Sequence, residues 1–219
     1  MKQKEVFLQS EGDAWFNRNR QGVTSVKLPE GDPILREILE AYRCNELNAD
    51  LRILEIGCGQ GRRLGWLKDT YGAQCFGIEP SGAAVAVAKN SGLSVSQGVA
   101  DSLPFEDQFF DLVIFGFCLY LCDREDLFRI ASEADRVLRS PGWIAIQDFY
   151  SPTPILKDYH HKPGVKSHKM DYSSLFTWHP DYECLARKVQ AHGDQGYTDD
   201  MNEWVSVFMI RKHSASMLK

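Results

Sequence analysis

The first pattern in this chain that could bind a ligand is an acidic residue followed by closely spaced glycines. Glu55 is followed by Gly57, Gly59 and Gly61. Glycine has no side chain and adopts backbone conformations closed to other residues, so this stretch can turn sharply and admit a ligand against the main chain. The same stretch is also consistent with a purely structural turn between a strand and a helix. Acidic residues further along the chain help to distinguish a ligand-binding loop from a structural turn.

Two more acidic residues follow the next two predicted strands. Glu79 closes the second strand, and Asp101 comes shortly after the third. A carboxylate such as Glu79 can accept hydrogen bonds from both hydroxyls of a ribose, and Asp101 can accept one from an exocyclic amine. Each acid taken alone fits a solvated loop residue equally well. Because ligands of open parallel sheets bind at the carboxyl ends of the strands, the three acids together predict one polar site there.

The elements that position these acids are predicted from the alternation of short apolar and amphipathic segments. Asp32 is a good helix N-cap and Pro33 suits the first turn, so we expect a helix to begin there. Helical patterns then separate five apolar segments that predict strands, at residues 51–56, 75–79, 93–97, 112–117 and 143–149. Such alternation predicts an α/β fold with a Rossmann-like, doubly wound, mostly parallel sheet and helices on both faces.

The regular alternation of predicted strands and helices ends after Tyr150. Two later segments, residues 183–190 and 203–211, predict strands that pair as a C-terminal antiparallel hairpin and complete a seven-stranded sheet. The roughly thirty residues before them are irregular and rich in His, Tyr, Pro and Lys. Long irregular segments inside compact domains usually have a function, so we expect part of a binding site there.

Composition and charge limit the classes of function. The 219 residues carry a formal net charge of -5, which argues against a nucleic-acid-binding surface, since such a surface needs a basic face. No apolar segment is long enough for a membrane span or a secretory signal, so we expect a cytoplasmic protein. The scattered cysteines favour reduced thiols over disulfides; they are Cys44, Cys58, Cys75, Cys118, Cys122 and Cys184.

Residues 53–149 resemble the class I S-adenosylmethionine-dependent methyltransferases, in particular their type 11-like group. Glu55 with the GxGxG stretch matches the first motif of that family, and Glu79 matches the acid that ends the second strand. Three later motifs also match: ADSLPF at 100–105, FDLV at 110–113, and VLRPGG, here VLRSPG with one residue inserted in the turn, at 137–142. Five motifs in this order and at normal spacing identify the chain as a member of the family.

The resemblance implies which residues hold the cofactor, S-adenosylmethionine. The glycine loop would pass under its methionine part, and Glu79 would bind the ribose hydroxyls. Asp101, with the backbone at Ser102 and Leu103, would hold the adenine, and aromatic residues after the fourth strand would line the other side. The predicted cofactor-binding residues are therefore Glu55, Gly57, Cys58, Gly59, Gly61, Glu79, Pro80, Asp101, Ser102, Leu103, Phe115 and Phe117.

Two alternatives use similar features. A nicotinamide-dependent oxidoreductase also has a glycine turn and an acid at the second strand. However, Arg62 stands where the third glycine of GxGxxG would lie, and an acid directly before the loop suits a cationic sulfonium better than a pyrophosphate. The second alternative is a non-catalytic S-adenosylmethionine-binding protein or partner subunit. An enzyme should leave an open cavity beside residues 160–171, whereas a non-catalytic relative should have that space walled off.

Methyl transfer requires in-line attack on the sulfonium methyl, so the main task of the protein is to position the acceptor. A hydroxyl acceptor would benefit from a general base, and family geometry places the histidines of the irregular segment over the methyl group: His160, His161 and His168. These are also consistent with exposed or structural histidines. No metal site is predicted, because no third ligand type lies at a recognised spacing. The residues predicted to contact the acceptor are Trp15, Tyr120, Tyr159 and Asp171.

We expect the acceptor to be a small molecule, and more narrowly a hydroxyl of a sugar or nucleotide sugar. The Asn/Asp-Pro-Pro-Tyr motif of many amino-methylating nucleic-acid enzymes is absent at residues 115–118. Residues 11–19 resemble the lead of some bacterial methyltransferases of surface-glycan sugar pathways. Trp15 and Phe16 in this lead could close over the cofactor as a lid or pack beneath the sheet.

The chain is predicted to form one methyltransferase domain, as a monomer or homodimer with no nucleic-acid or membrane partner. Residues 1–50 would supply an N-terminal lid and helices, and residues 51–149 the cofactor-binding core. Residues 150–219 would supply the acceptor-site loop and the final strand pair.

Overall fold

The computed structural model describes residues 2–42, 47–193 and 196–214. Within these ranges, seven strands form one sheet in the order β3-β2-β1-β4-β5-β9-β8, and β6 pairs with β7 in a separate hairpin. Strands β1 to β5 are parallel, whereas β9 runs antiparallel to β5 and β8. The predicted fold class, with its C-terminal antiparallel pair, is confirmed. The strands are β1 (Arg52–Ile56), β2 (Gln74–Glu79), β3 (Ser94–Gln97), β4 (Phe110–Gly116), β5 (Leu138–Phe149), β6 (Ile155–Asp158), β7 (Lys166–Lys169), β8 (Tyr182–Ala191) and β9 (Trp204–Lys212).

Helices connect the strands, and one of them begins at the predicted capping residue Asp32. Asp32 caps α3 by accepting a hydrogen bond from the Leu35 backbone nitrogen at 3.2 Å, and Ser81 caps α5 by accepting from Ala84 at 3.0 Å. A π-helical turn at Phe7–Glu11 joins α1 to α2. The helices of the described residues are α1 (Gln3–Val6), α2 (Gly12–Ser25), α3 (Pro33–Ala41), α4 (Arg62–Tyr71), α5 (Gly82–Asn90), α6 (Leu127–Val137) and α7 (Ser174–Thr177).

Alternate strand residues bury their side chains on opposite faces of the sheet, as the pleat requires. In β4, Val113 and Phe115 belong to one core, which α6 and α7 cover. Leu112 and Ile114 belong to the other core, which lies under α3, α4 and α5. All residues of β4 are buried, as expected for a central strand of a parallel sheet. The sheet is therefore doubly wound.

The strand order reverses between β1 and β4. From β1 the chain moves outward through β2 to β3, then returns to β4 and continues to β5 on the other side. Where neighbouring connections leave the sheet in opposite directions, a crevice opens at the carboxyl ends of the strands. The crevice after β1 and β4 is therefore where the fold itself provides room for a ligand.

The boundary between α6 and β5 differs from the prediction. We expected the helix to end at a Ser140-Pro141-Gly142 turn, but α6 ends at Val137 and β5 begins at Leu138. The pairing of β4 with β5 shifts register between Phe110 and Leu112. Residues 139–142 lie opposite the single residue Asp111 of β4, so the predicted turn is an irregularity within a strand and not a turn after the helix.

The prediction of an irregular segment after Tyr150 is also partly wrong, since residues 150–182 contain the β6–β7 hairpin and α7. Of the six cysteines, those in the described ranges are free thiols, and Cys44 lies outside those ranges. No helix in the described part of the chain is long and apolar enough to cross a bilayer.

Candidate functional site

A cavity of about 1110 Å³ lies at the switch point of the sheet, beyond the carboxyl ends of β1 and β4. Its floor is formed by the glycine loop between β1 and α4 and by the ends of β2 and β4. Its other walls come from the N-terminal helices, the β6–β7 hairpin and the turn after β8. Binding sites commonly measure roughly 300–1000 Å³, so this space can hold a nucleoside-sized cofactor and a second small molecule.

The three loop glycines have different structural roles. Gly57 has φ +73°, and a Cβ there would lie 2.6 Å from the Cβ of Cys118, so no side chain fits. Gly59 has φ +55° and open space beside it, where a Cβ would meet no atom within 4 Å. Gly61 has φ +76° and lies against Leu93 instead of lining the cavity. The loop therefore exposes its backbone to the cavity at Gly59 and anchors α4 at Gly61.

Glu79 fixes the glycine loop from the neighbouring strand. Its Oε2 accepts a hydrogen bond from the Gly59 backbone nitrogen at 2.8 Å, and its Oε1 accepts one from Ser81 at 2.9 Å. Burial raises the pKa of this carboxyl, and the hydrogen bonds from Ser81 and Gly59 counteract that rise. Each oxygen keeps a further lone pair, so Glu79 can still accept the hydroxyls of a ribose.

Glu55 belongs to a buried charge network beneath the loop, centred on Arg63. The Arg63 guanidinium donates to Glu55 Oε1 at 2.6 Å, to Asp32 at 2.7 Å and to Gln147 at 3.1 Å. Burial disfavours the Arg63 charge, but the Asp32 and Glu55 carboxylates outweigh that effect and raise its pKa. Sequence reasoning did not find Arg63, because its partners come from three separate segments.

The second carboxylate oxygen of Glu55 is available to bind a group of the cofactor. Glu55 Oε2 is buried and has no hydrogen-bond partner within the described part of the chain. A buried carboxylate oxygen without a donor is costly unless a ligand supplies one. An ammonium group, such as that of a methionine, would supply it, so Glu55 fits the amino-acid end of S-adenosylmethionine.

Asp101 lies at the opposite end of the same cavity, where it contacts Lys4, a residue that was not predicted from sequence. Lys4 of α1 forms an ion pair with Asp101 and a second one with Asp126 at 3.0 Å. The Asp101 hydrogen bond raises the pKa of Lys4. Asp101 is thus present at the predicted adenine end, but an exocyclic amine would have to share it with Lys4 or displace the lysine.

The N-terminal helices lie along the cavity wall. Asp13 of α2 accepts hydrogen bonds from the Ser81 hydroxyl at 2.7 Å and from the Ala83 backbone nitrogen at 3.0 Å. Both Trp15 and Phe16 line the cavity, and Phe16 is buried. Of the two positions considered for these aromatic residues, the structure shows the one beside the cavity rather than the one beneath the sheet.

A group of aromatic rings, here called the aromatic wall, lines the part of the cavity beyond β4 and β5. Phe149 is at its centre, with ring centroids 5.5 Å from Phe117, 5.0 Å from Tyr120 and 5.0 Å from His192. Phe117 has φ +56°, a strained conformation for a residue with a side chain. Its backbone nitrogen donates to the Gln147 backbone oxygen at 2.8 Å, which holds this part of the backbone in place. The aromatic wall offers an apolar face to a second ligand.

Above the aromatic wall, the loop of the β6–β7 hairpin contributes Tyr159, His160 and His161 to the cavity. Tyr159 is buried, and its hydroxyl accepts a hydrogen bond from Arg18 at 3.1 Å. The two histidine rings are exposed, with centroids 3.8 Å apart. Partial desolvation and the nearby Arg18 cation lower the pKa of His161. A neutral imidazole in this position can accept a proton from an acceptor hydroxyl.

Five other predicted site residues do not line the cavity, in addition to Gly61. Phe115 points into the core, where its ring packs 6.2 Å from that of Phe176. The Asp171 carboxylate accepts hydrogen bonds from the backbone and hydroxyl of Ser173, at 3.0 and 2.5 Å, so its role is a local turn. The remaining three lie outside the lining residues; they are His168 on β7, and Ser102 and Leu103 after Asp101.

Asp148, at the end of β5, was not predicted from sequence. It is fully buried, and its Oδ2 accepts from the backbone nitrogens of Leu119 at 2.8 Å and Tyr120 at 3.3 Å. Burial raises the pKa of this carboxyl to about 7, although backbone hydrogen bonds counteract the rise. Asp148 therefore holds the turn that presents Tyr120 to the cavity. No group of three or more metal-binding side chains is found in the described ranges.

Comparison with known proteins points to one family. A family model described as a methyltransferase domain matches residues 54–146. A fatty-acid O-methyltransferase of Mycolicibacterium smegmatis is 30% identical over 131 residues, which are 56% of this chain and 47% of that protein. YcgJ of Bacillus subtilis, an uncharacterized methyltransferase, is 30% identical over 145 residues, 61% of this chain and 55% of that protein. The chain thus spans about half the length of the curated relatives it matches.

Solved structures share the fold. A crystal structure of Burkholderia thailandensis 1,6-didemethyltoxoflavin-N1-methyltransferase, with its namesake compound and S-adenosylhomocysteine bound, has a TM-score of 0.70 at 14% identity. That match covers 96% of this chain and 89% of the other. A methyltransferase of Methanosarcina mazei has a TM-score of 0.62 at 19% identity, covering 80% and 97%. At such identities the likeness concerns the fold alone.

The motif order, the matching family model and the fold agree. Residues 54–146 match the family model of a methyltransferase domain and have the fold of S-adenosylmethionine-dependent methyltransferases, as the resemblance to class I enzymes predicted. Within that class the matching model is the type 11 methyltransferase domain. The prediction of S-adenosylmethionine as the cofactor of the family is confirmed with it.

Proposed function

We propose that this chain transfers the methyl group of S-adenosylmethionine to a small molecule bound against the aromatic wall. The observation that carries the proposal is the continuity of one cavity. The cavity extends from Glu79 and Asp101 to the aromatic wall and to the hairpin residues His160 and His161. A non-catalytic cofactor-binding protein has no need of that second half, so the open space beside the hairpin favours an enzyme.

The residues around the first half of the cavity fit the cofactor. Glu55 Oε2 lacks a hydrogen-bond donor within the described residues, which suits an ammonium group, and Gly59 leaves room against the main chain. Glu79 would hold the ribose, and Asp101 the adenine. When bound, S-adenosylmethionine supplies an electrophilic methyl group on a sulfonium. The protein would contribute chiefly by fixing the acceptor in line with that methyl group.

The acceptor half would contribute position and, for a hydroxyl acceptor, proton removal. Phe117 and Phe149 would hold an apolar face of the acceptor, and Tyr120 is fixed beside them by Asp148. His160 and His161 are the candidates for the general base, since both line the cavity. His168 and Asp171 do not line it, and we do not include them in the proposal.

The class of acceptor is inferred from the names of similar proteins and from the lining of the cavity. One relative is named for a fatty acid, and one structural neighbour was crystallised with 1,6-didemethyltoxoflavin, so both names favour small molecules. A sugar or nucleotide-sugar hydroxyl, the acceptor favoured by the sequence, stays a prediction. The aromatic wall is compatible with it, because apolar sugar faces pack against aromatic rings.

The proposal is tested by a radiolabel transfer screen. The purified chain is incubated with methyl-labelled S-adenosylmethionine and panels of sugar nucleotides, aromatic acids and fatty acids, and transfer of the label to the acceptor is measured. We expect one panel to give turnover that Phe149→Ala lowers, with cofactor affinity unchanged. Cofactor binding without turnover on any panel would instead favour the non-catalytic alternative.

A further inference from the structure

Two lysines of the β6–β7 hairpin line the cavity beside the aromatic wall. Lys157 lies on β6 and Lys169 on β7, and the register of the hairpin pairs Lys157 with Ser167 and Ile155 with Lys169. The two lysines are therefore diagonal neighbours on one face of the hairpin. Both point their ammonium groups at Asn202, which belongs to the turn before β9.

Neither ammonium group is neutralised by an ion pair within the described residues. Lys157 donates to the Asn202 side-chain oxygen at 2.7 Å, and Lys169 donates to the Asn202 backbone oxygen. Other lysines near the cavity differ, since Lys4 pairs with Asp101 and Lys166 pairs with Asp158 at 2.6 Å. The Glu203 and Asp200 carboxylates act on Lys169 without forming an ion pair with it, and burial together with the Lys157 cation outweighs their effect on its pKa. Within the described part of the chain, neither ammonium group therefore has a direct anionic partner beside the cavity.

The position of Lys169 links this charge to the aromatic wall. Its ammonium lies 4.4 Å from the centroid of the Phe149 ring, a cation–π distance. Burial lowers the pKa of Lys169, and the nearby Lys157 cation contributes to the same effect. An anion bound between the two lysines would stabilise both charges and so counteract these effects.

We propose that the methyl acceptor carries an acidic group, a carboxylate or a phosphate, which Lys157 and Lys169 bind while its ring packs on the aromatic wall. This inference rests on the proposed function, because it concerns the acceptor half of the same cavity. It narrows the acceptor to anionic ring compounds, which include aromatic acids and nucleotides and exclude neutral sugars and simple alcohols.

The test uses two matched pairs of probes with S-adenosylhomocysteine already saturating the protein. Benzoate is compared with benzamide, and uridine monophosphate with uridine, by calorimetric titration. A charge-assisted contact contributes about 1.5–3 kcal/mol, so we expect the anion of at least one pair to bind roughly ten- to a hundredfold tighter than its neutral partner. Preference in the benzoate pair indicates a carboxylate, and preference in the uridine pair indicates a phosphate.

Three variants assign that preference to the two lysines. Lys157→Met and Lys169→Met should each remove most of the preference, because methionine keeps the chain length and loses the charge. Lys166→Met is the matched control, since Lys166 lies on the same hairpin but pairs with Asp158 and does not line the cavity. All three should keep the affinity for S-adenosylhomocysteine, which shows that the fold and cofactor half are intact.

Two results would overturn the inference while leaving the proposed function in place. The first is equal binding, or no binding, of both members of each pair although S-adenosylhomocysteine binds. The second is an anion preference that persists in Lys169→Met, or one that Lys166→Met lowers as much as Lys169→Met does. Failure of S-adenosylhomocysteine itself to bind would instead contradict the proposed function.

Discussion

At the scale of single residues, Glu79 connects the cofactor site to the stability of the loop. Its carboxylate accepts the backbone hydrogens of Gly59 and Ser81, and its side chain is largely buried. A loop acid on a protein surface ordinarily contributes little to fold stability. The structure changes that expectation, because removing the carboxylate leaves two backbone donors without an acceptor.

Substitution of Glu79 by alanine should therefore weaken both binding and folding. We expect affinity for S-adenosylhomocysteine to fall roughly a hundredfold and the free energy of unfolding to fall by about 1–3 kcal/mol. Asp101→Ala should weaken binding with a smaller loss of stability, since its ion pair with Lys4 is partly exposed. Calorimetry and urea unfolding measure the two effects. The exposed acid Asp107 supplies a control, and wild-type affinity in Glu79→Ala would disprove the assignment.

Asp148 gives a pH-dependent prediction. Its pKa in the folded protein, about 7, lies above the ordinary value of 3.8. The folded state thus holds this proton more tightly than the unfolded state, so the contribution of Asp148 is most favourable at low pH and declines as pH rises toward 7. Relative to Asp148→Asn, the wild type should lose about 2 kcal/mol of unfolding free energy between pH 5 and pH 7.

Urea unfolding of both proteins at the two pH values measures this difference directly. Other titrating groups are common to both proteins, so they cancel in the comparison. Parallel stability curves for the wild type and Asp148→Asn would show that Asp148 keeps an ordinary pKa.

The sequence predicts a site residue when that residue belongs to a recognisable motif. It does not predict a residue whose role depends on partners elsewhere in the chain. Glu55 and Glu79 were predicted because each ends a strand at a fixed place in the loop pattern. Arg63 and Lys4 were not predicted, because each pairs with acids distant in sequence: Arg63 with Asp32, 31 residues away, and Lys4 with Asp101, 97 residues away. Only the tertiary fold brings such partners together.

At the scale of elements, the first turn of α2 is packed against the start of α5. A Cβ on Gly12 would lie 2.7 Å from the Phe7 carbonyl oxygen and 3.0 Å from the Ser81 nitrogen. Both contacts are with backbone, so α2 would have to move away. Because Ser81 also donates to Glu79, that movement would disturb the predicted ribose site.

Gly12→Ala should accordingly lower the free energy of unfolding by about 1–3 kcal/mol and weaken binding of S-adenosylhomocysteine. Gly22→Ala is the matched control in the same helix, since a Cβ there meets no atom within 4 Å. It should raise stability by about 0.5–1 kcal/mol through helix propensity alone. Thermal unfolding and calorimetry of both variants provide the check. Equal behaviour of the two variants would mean that α2 does not constrain the site.

The accuracy of element prediction follows from burial. The strands β1, β2, β4 and β5 were predicted because they are rich in buried apolar residues, as in β4, whose residues are all buried. β3 has one buried residue, Val95, and was predicted through its place in the alternation of strands and helices. The β6–β7 hairpin was missed because its strands, ILKD and KSHK, are mostly polar and largely exposed. Without a buried face a strand shows no alternation of apolar and polar residues, and its pairing depends on neighbouring segments.

At the scale of the whole molecule, the two halves of the cavity come from different parts of the chain. The cofactor half lies on the loops after β1, β2 and β3, within the span that the family model matches. The acceptor half combines Phe117 and Tyr120, which lie within that span, with Phe149, the β6–β7 hairpin and the turn after β8, which lie outside it. The family resemblance therefore predicts the cofactor, whereas the class of acceptor is inferred largely from segments outside the family model.

The central claim, that the switch-point cavity binds S-adenosylmethionine, is tested most directly by calorimetric titration of the purified protein with that compound and, in parallel, with NAD. We predict saturable binding of S-adenosylmethionine, strongly weakened in Glu79→Ala, and no binding of NAD. Saturable binding of NAD, or binding of neither compound, would contradict the claim.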